Sequence, residues 1–139
     1  MMRDSAVITV PSHPRYLAVI RAVTGKMGEL CGIDENTTED IKLAVDEACT
    51  NVIKHAYRGD VSRKIVIKYR ITRKAFRVAI EDNGVRAHED VLKGRNLNTI
   101  RPGGLGIHLI KRVFDVLAFD EKKKIGNRLI LVKYLKGEK

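Results

Sequence analysis

Apolar and charged residues alternate along two stretches of the chain, which predicts two strands with one buried and one exposed face. These strands span 64–71 and 75–81. Because only residues 72–74 link them, they are expected to form an antiparallel hairpin. Shorter apolar runs predict three further strands, over 6–10, 116–120 and 129–135.

Three longer segments repeat their apolar residues with the period of an amphipathic helix. The first covers 15–31 and stops at Gly32. The second begins after the run 36–38, whose threonine hydroxyls are expected to cap it, and continues to Tyr57. The third covers 107–114 and follows a run of glycines.

The order of these elements predicts the fold class. A strand is followed by two helices, two strands, a long polar loop over 85–102, a helix and two more strands. This order predicts an α/β protein, a two-layer α/β sandwich with helices on one face of a mixed, mostly antiparallel sheet. With 139 residues, the chain is predicted to be a single domain over 1–139.

The second predicted helix carries an acid and an amide beside its apolar stripe. Glu47 and Asn51 lie four residues apart, so they stack one turn above the other, and Lys54 continues their row. Such a pair can hold a hydrated cation or orient a hydroxyl, and it can equally be an ordinary polar pair at a helix boundary. The apolar stripe beside it lies within an arc of about 100° and consists of Ile41, Ala44, Val45, Ala48 and Val52.

Two further motifs follow along the chain, and each alone is also compatible with a simple turn. Asp82-Asn83-Gly84 ends a predicted strand, where the carboxylate can accept a hydrogen bond from a purine amino group and Gly84 lets a ligand approach the backbone. The glycine run 103–106 opens a helix, and its N–H groups can hold phosphate. Together with the helical pair, these motifs supply cation, base and phosphate contacts for a magnesium-bound nucleotide.

Composition narrows the classes of function. An apolar content of 44% and a charged content of 32% are typical of a soluble globular protein. The net charge of +10 is dispersed, which favours a solvated surface or an acidic partner over a nucleic-acid site. Only 5% of residues are aromatic, too few for a base-stacking platform. No stretch suggests a signal peptide or membrane span, and Cys31 and Cys49 are expected to be reduced, so a cytoplasmic location is expected.

The three motifs together resemble those of the Bergerat-fold (GHKL) ATPases. The similar segments are LAVDEACTNVIKHAY at 43–57, EDNG at 81–84 and PGGLGIHLIKRVFD at 102–115. Within this superfamily, the chain is most similar to the single-domain anti-sigma-factor serine kinases of the RsbW and SpoIIAB type. The resemblance covers most of the chain, from the first helix to the last strand.

The resemblance implies a role for each motif. Glu47 would be the catalytic base, and Asn51 would complete the coordination of Mg²⁺ on ATP or ADP. Asp82 would bind the adenine amino group, and Gly84 would make room for the ring. The loop 85–102 would act as a lid. The remaining contacts to the nucleotide would come from Gly103, Gly104, Leu105, Gly106 and Ile107.

The resemblance also implies partners. The kinase would phosphorylate a serine on an anti-anti-sigma protein of the STAS type and would otherwise sequester a sigma factor. It would be a homodimer without a nucleic-acid or membrane partner. The first helix, with Arg15 and Arg21 on its exposed side, is a candidate partner surface.

Two departures from the family pattern leave an alternative open. Arg86 replaces the second glycine of the first glycine motif, where it can reach a phosphate or stiffen the hinge of the lid. A threonine that is common in the last strand is replaced by apolar residues around Ile130, which removes a polar contact near adenine. The alternative is therefore a non-catalytic module that binds nucleotide and switches a partner complex without transferring phosphate.

Overall fold

The computed structural model of the chain describes residues 4–87 and 104–135. The helices are α1 (Leu17–Leu30), α2 (Glu35–Asn51) and α3 (Gly104–Val113). A 3-10 turn (Pro14–Tyr16) precedes α1, and a π-helical turn (Val52–Ala56) continues α2. The strands are β1 (Asp4–Pro11), β2 (Lys64–Ile71), β3 (Ala75–Asp82), β4 (Val116–Phe119) and β5 (Asn127–Tyr134).

The five strands form one sheet in the order β1-β2-β3-β5-β4, and the predicted two-layer sandwich is confirmed. The expected mixed sheet differs in detail, because every pairing among the described strands is antiparallel. The reason is that α1 and α2 form a helical hairpin between β1 and β2. The chain therefore re-enters the sheet at the end where it left, so β2 runs opposite to β1.

The core lies between the helices and one face of the sheet. Along β2 and β3, burial alternates with a period of two, as the sequence pattern predicts. The hydroxyl of Tyr69 in this core has a hydrogen-bond partner, because Tyr69 Oη and Thr24 Oγ1 lie 2.7 Å apart. Fully buried members from all three helices and the inner strands include Ile20, Ile41, Ile67, Phe76, Ile110 and Leu131.

The start of α2 differs from the sequence-based expectation. The cap is Asp34, whose carboxylate accepts a hydrogen bond from the Thr37 N–H at 2.9 Å. The run 36–38 therefore lies inside the first turn, because an aspartate two residues earlier already satisfies the free N–H groups. Thr38 instead packs into the space left by the missing side chain of Gly28, which brings α1 and α2 close together.

The turn before β5 depends on Gly126. Its φ is +74°, and a Cβ there would lie 2.6 Å from Asn83 Cα and would overlap the Asp82 carbonyl oxygen. Gly32 has nearly the same φ, +75°, but a Cβ there would meet nothing within 4 Å. The two glycines therefore separate the cost of the left-handed backbone from the cost of steric overlap.

We expect Gly32→Ala to lower the free energy of unfolding by about 1 kcal/mol, the cost of the left-handed backbone alone. Gly126→Ala is expected to lower it by roughly 3 kcal/mol or more, because overlap with the end of β3 adds to that cost. Urea unfolding of both variants measures the difference. Equal losses would contradict the close approach of this turn to Asp82.

Candidate functional site

Helix α2 places Glu47 and Asn51 at the boundary between the core and solvent, as the sequence predicts. Both residues are half-buried and lie on one side of the helix. The Asn51 carboxamide oxygen itself is buried, yet it accepts no hydrogen bond within the described part of the chain. An unsatisfied buried oxygen of this kind costs about 1–3 kcal/mol, so a ligand that donates to it or coordinates it would be stabilised.

The π-helical turn directly after Asn51 joins this helix to the end of β3. The Tyr57 N–H donates to the Val52 carbonyl at 2.8 Å, five residues back, which widens the helix at this point. The Ala56 carbonyl is turned to the chain after β3, where it accepts a hydrogen bond from the Val85 N–H at 2.8 Å. The asparagine of α2 and the Asp-Asn-Gly motif thus belong to one connected region.

Gly84 has a packing role that the sequence does not indicate. A Cβ at this position would lie 2.9 Å from Ala56 Cβ and would overlap the Ala56 carbonyl oxygen. The close backbone approach that glycine permits here is therefore to the π-helical turn of the same chain. Space for a ligand ring beside Gly84 remains a prediction.

Asp82 is a buried carboxylate with defined donors. It is 3% exposed, and its Oδ1 accepts hydrogen bonds from the Gly84 N–H at 2.8 Å and from Asn127 Nδ2 at 3.0 Å. Burial raises the pKa of the Asp82 carboxyl above its usual value, and the N–H donors and the charge of Lys123 partly oppose this rise. A carboxylate that is buried in this way can accept a hydrogen bond from the amino group of a ligand with little competition from water.

Asn127 is a site residue that the sequence analysis missed. Its Nδ2 donates to the Asp82 carboxylate and, at 2.9 Å, to the Val85 carbonyl, while its Oδ1 accepts from the Ala87 N–H at 2.7 Å. Asn127 lies opposite Asp82 in the β3–β5 register, and that pairing could not be read from the sequence. In the sequence, the indication of this role is a polar residue directly after a turn glycine.

The apolar residues around Ile130 divide between the two faces of the sheet. Leu129 and Leu131 are buried on the face of Asp82, and for them the loss of a polar contact near adenine stays a prediction. Ile130 pairs with Ala79, so it lies on the opposite face of the sheet from Asp82. Its apolar side chain therefore removes nothing from the region around Asp82, where Asn127 supplies the polar contact.

Arg86 contacts the β4–β5 turn. Its guanidinium donates a hydrogen bond to the Lys123 carbonyl, and Lys123 Nζ donates to Asn83 Oδ1 at 3.3 Å. Of the two roles considered for Arg86, this contact matches the stiffening of the chain where the predicted lid begins. Only residues 85–87 of that loop lie within the described residues.

The glycine run extends into helix α3 itself, because α3 begins at Gly104 rather than at the predicted 107. Gly104, Leu105 and Gly106 therefore form its first turn, whose N–H groups have no partner within the helix. Ile107 is buried against the core, and α3 packs beside α2. Gly103 lies outside the described residues.

Three further observations concern metal-binding groups, membrane-spanning helices and cysteines in the described residues. Across 4–87 and 104–135, no group of three or more histidine, cysteine or acidic residues is arranged to hold a metal ion. Within the same residues, no helix is long and apolar enough to cross a membrane. Cys49 is buried and Cys31 half-buried, both free thiols, and burial raises the pKa of Cys31 to about 11.

Two asparagines of the site allow a direct test of which is structural. Asn51→Ala removes an oxygen without a partner, so we expect the free energy of unfolding to stay within about 0.5 kcal/mol or to rise. Asn127→Ala breaks the bonds that satisfy Asp82, so we expect a loss of about 2–3 kcal/mol. Chemical unfolding checks both variants. A large loss for Asn51→Ala would mean that its oxygen already has a partner in the folded chain.

Comparisons with known proteins identify the family of the chain. Residues 10–133 match the family model of the histidine kinase-like ATPase domain. The chain is 30% identical to the serine-protein kinase RsbW of Listeria innocua, over 96% of this chain and 89% of that protein. It is 29% identical to the serine-protein kinase RsbW of Bacillus subtilis, over 98% and 89%.

A solved structure shares the fold. The crystal structure of the RsbU and RsbW domains of a Mycobacterium tuberculosis protein superposes with a TM-score of 0.61 at 18% sequence identity. The match covers 94% of this chain and 31% of that one. Since the family model spans nearly the whole sequence, the chain belongs to the histidine kinase-like ATPase family.

Proposed function

We propose that this chain is an ATP-dependent serine protein kinase that also acts as an anti-sigma factor in the cytoplasm. It transfers the γ-phosphoryl group of ATP to a serine of a STAS-type anti-anti-sigma protein, and it sequesters a sigma factor when that protein is phosphorylated. The observation that carries the proposal is the buried oxygen of Asn51, one turn after Glu47, which accepts no hydrogen bond from the described residues. The relatives named as serine-protein kinases support the same activity.

The site fits a magnesium ion. A carboxamide oxygen is a hard ligand of the kind that Mg²⁺ prefers, and the Asn51 oxygen accepts no hydrogen bond from the described residues. When bound, the ion would neutralise charge on the phosphates and bridge them to the protein. The role of Asn51 is to fix that contact at the edge of α2.

The remaining residues position the attacking serine, the adenine and the phosphates. Glu47, on the same side of α2, accepts the proton of the attacking serine hydroxyl. Asp82, fixed by Gly84 and Asn127, accepts a hydrogen bond from the adenine amino group. The N–H groups of the first turn of α3 hold phosphate oxygens. Phosphoryl transfer then follows mainly from positioning and charge neutralisation.

The second candidate function is the non-catalytic switch module. Substitution of Glu47 distinguishes it from the kinase. We expect Glu47→Gln to reduce labelling of the partner's serine by ³²P from ATP at least about 100-fold, because the amide cannot take the proton. ATP affinity is expected to stay within a few-fold. Glu39→Gln, an exposed acid on the same helix, is the matched control and keeps full transfer. Equal transfer by both variants, or none by the wild type, would contradict the kinase.

The partner surface in this proposal lies on α1 and on the 3-10 turn before it, because Arg15 belongs to that turn and not to α1. Arg21 is partly exposed and forms an ion pair with Asp46 of α2 at 3.1 Å. Arg15 lies over the Tyr16 ring at 5.3 Å, where the stacking leaves its charge close to solvent. Both cations thus stand on the helical layer, on the same side of the sheet as Glu47.

We also propose that the kinase is a homodimer that pairs through the open face of its sheet. Three rows of residues cross that face. The first is basic and consists of Ser5, Arg70, Arg77, Val132 and Val116. The middle one is mostly aliphatic, with Val7, Lys68, Ala79, Ile130 and Ala118. The third contains Thr9, Val66, Glu81 and Arg128, next to Asp120.

The charges on this face support pairing with a second copy. Arg70 and Arg77 lie directly opposite each other, and neither has an acidic partner in the described part of the chain. Like charges in register destabilise a sheet. A two-fold axis that runs along the middle row would place the Arg70–Arg77 row against the row of the second protomer that contains Glu81 and Asp120. Within their own chain these two carboxylates pair with Lys68 and Arg128, so Arg70 and Arg77 would join an existing network of charges.

Sedimentation equilibrium tests this interface. We expect Arg77→Glu to raise the dissociation constant of the dimer at least tenfold, because it replaces a cation by a carboxylate that would face Glu81 and Asp120 of the second protomer. Arg73→Glu, in the link between β2 and β3, makes the same charge change outside the three rows and should leave the dimer intact. A monomeric wild type, or an unchanged dimer in Arg77→Glu, would contradict the interface.

A further inference from the structure

Three cations gather around Asn83, the residue that follows Asp82. Arg63 Nη2 donates to the Asn83 carbonyl at 3.2 Å, and Lys123 Nζ donates to Asn83 Oδ1 at 3.3 Å. Arg86 joins them because its guanidinium donates to the Lys123 carbonyl. These three cations, here called the basic cluster, come from the residue before β2, the chain after β3 and the β4–β5 turn.

The basic cluster is held in place by uncharged groups. In the part of the chain that the structure covers, its members donate to carbonyl and carboxamide oxygens and form no ion pair. Arg63 also lies over the Tyr57 ring, with 4.8 Å between its Cζ and the ring centroid. Like charges that converge in this way repel one another, so an anion placed among them would be stabilised.

The acids near the basic cluster do not neutralise it. Asp60 attracts Arg63 without forming an ion pair with it, and accepts hydrogen bonds from its own turn instead. Asp82 likewise attracts Lys123 from a buried position, where its own donors already contact it. Asp120 forms its ion pair with an arginine of β5 at 3.5 Å. The cluster therefore keeps a net positive charge.

The β4–β5 turn adds both charge and apolar surface to the cluster. Lys122 and Lys124 are exposed on either side of Lys123. Glu121 is the acidic residue next to them, so positive charge predominates in this turn. Ile125 follows and is 73% exposed, more than any other large apolar residue that the structure describes. The turn thus presents cations beside an aliphatic side chain.

Neither a nucleotide nor a nucleic acid matches this surface well. The cluster adjoins Asp82, where the adenine is proposed to bind, whereas the phosphates are assigned to Asn51 and the first turn of α3. Tyr57 is buried beneath Arg63, so its ring offers no face on which a base could stack. A protein segment that carries carboxylates beside an apolar side chain matches both the charge and the exposed aliphatic residue.

We propose that the basic cluster and Ile125 form a docking surface for an acidic segment of a protein partner. Carboxylates of that segment bind the three cations, and an apolar side chain packs on Ile125. The surface is separate from phosphoryl transfer, so this inference goes beyond the proposed kinase function and does not depend on it. It also gives a role to Arg86, the residue that departs from the family pattern.

Fluorescence anisotropy tests this surface, with the full chain free of nucleotide and a labelled peptide in which glutamates flank a leucine. We expect Lys123→Glu to raise the dissociation constant of the peptide by about tenfold or more, because a carboxylate replaces a cation. Lys74→Glu makes the same change in the exposed link between β2 and β3, at the other end of the sheet, and should have little effect. Ile125→Ser should weaken binding without changing the charge.

Two further measurements separate specific docking from other causes. Lys123→Gln adds no carboxylate near Asp82 and should keep the melting temperature of the wild type while it weakens binding. A peptide with glutamine in place of glutamate should bind the wild type about tenfold more weakly or worse. Equal losses in Lys123→Glu and Lys74→Glu, tighter binding of single-stranded DNA of equal charge, or no binding of the acidic peptide would each overturn the inference. Because nucleotide is absent throughout, none of these results bears on the kinase.

Discussion

The contact between the Ala56 carbonyl and the chain after β3 holds the site together. Because Gly84 has no side chain, Val85 can donate to that carbonyl, and the end of α2 closes onto the end of β3. Gly126 brings the β4–β5 turn against the same place, so Asn127 can fix Asp82. Three elements distant in sequence thus meet through backbone approaches that only glycine permits.

The wider sandwich follows from patterns that act locally. Alternation predicts β2 and β3 over nearly their true lengths, because one face of each strand is buried against the helices. The helical period likewise predicts α1 and α2. The all-antiparallel pairing was harder to foresee, since it depends on how the hairpin of α1 and α2 returns the chain to the sheet.

The position of a candidate site residue could be predicted where it follows from one element, and it could not be predicted where it depends on the packing of two elements. Glu47 and Asn51 stand on one side of α2 because helical spacing alone places them there. The role of Asn127 depends on its register with Asp82, and the packing of Gly84 depends on a π-helical turn. Neither the register nor the turn has a local signature in the sequence.

The buried oxygen of Asn51, which accepts no hydrogen bond from the residues that the structure describes, is proposed to bind the magnesium ion of a bound nucleotide. The most direct measurement is calorimetric titration of ATP into the wild type and Asn51→Ala, each with and without Mg²⁺. The account predicts that Mg²⁺ tightens ATP binding to the wild type by tenfold or more and has little effect on the variant. Equal binding under all four conditions, or no binding to the wild type, would contradict it.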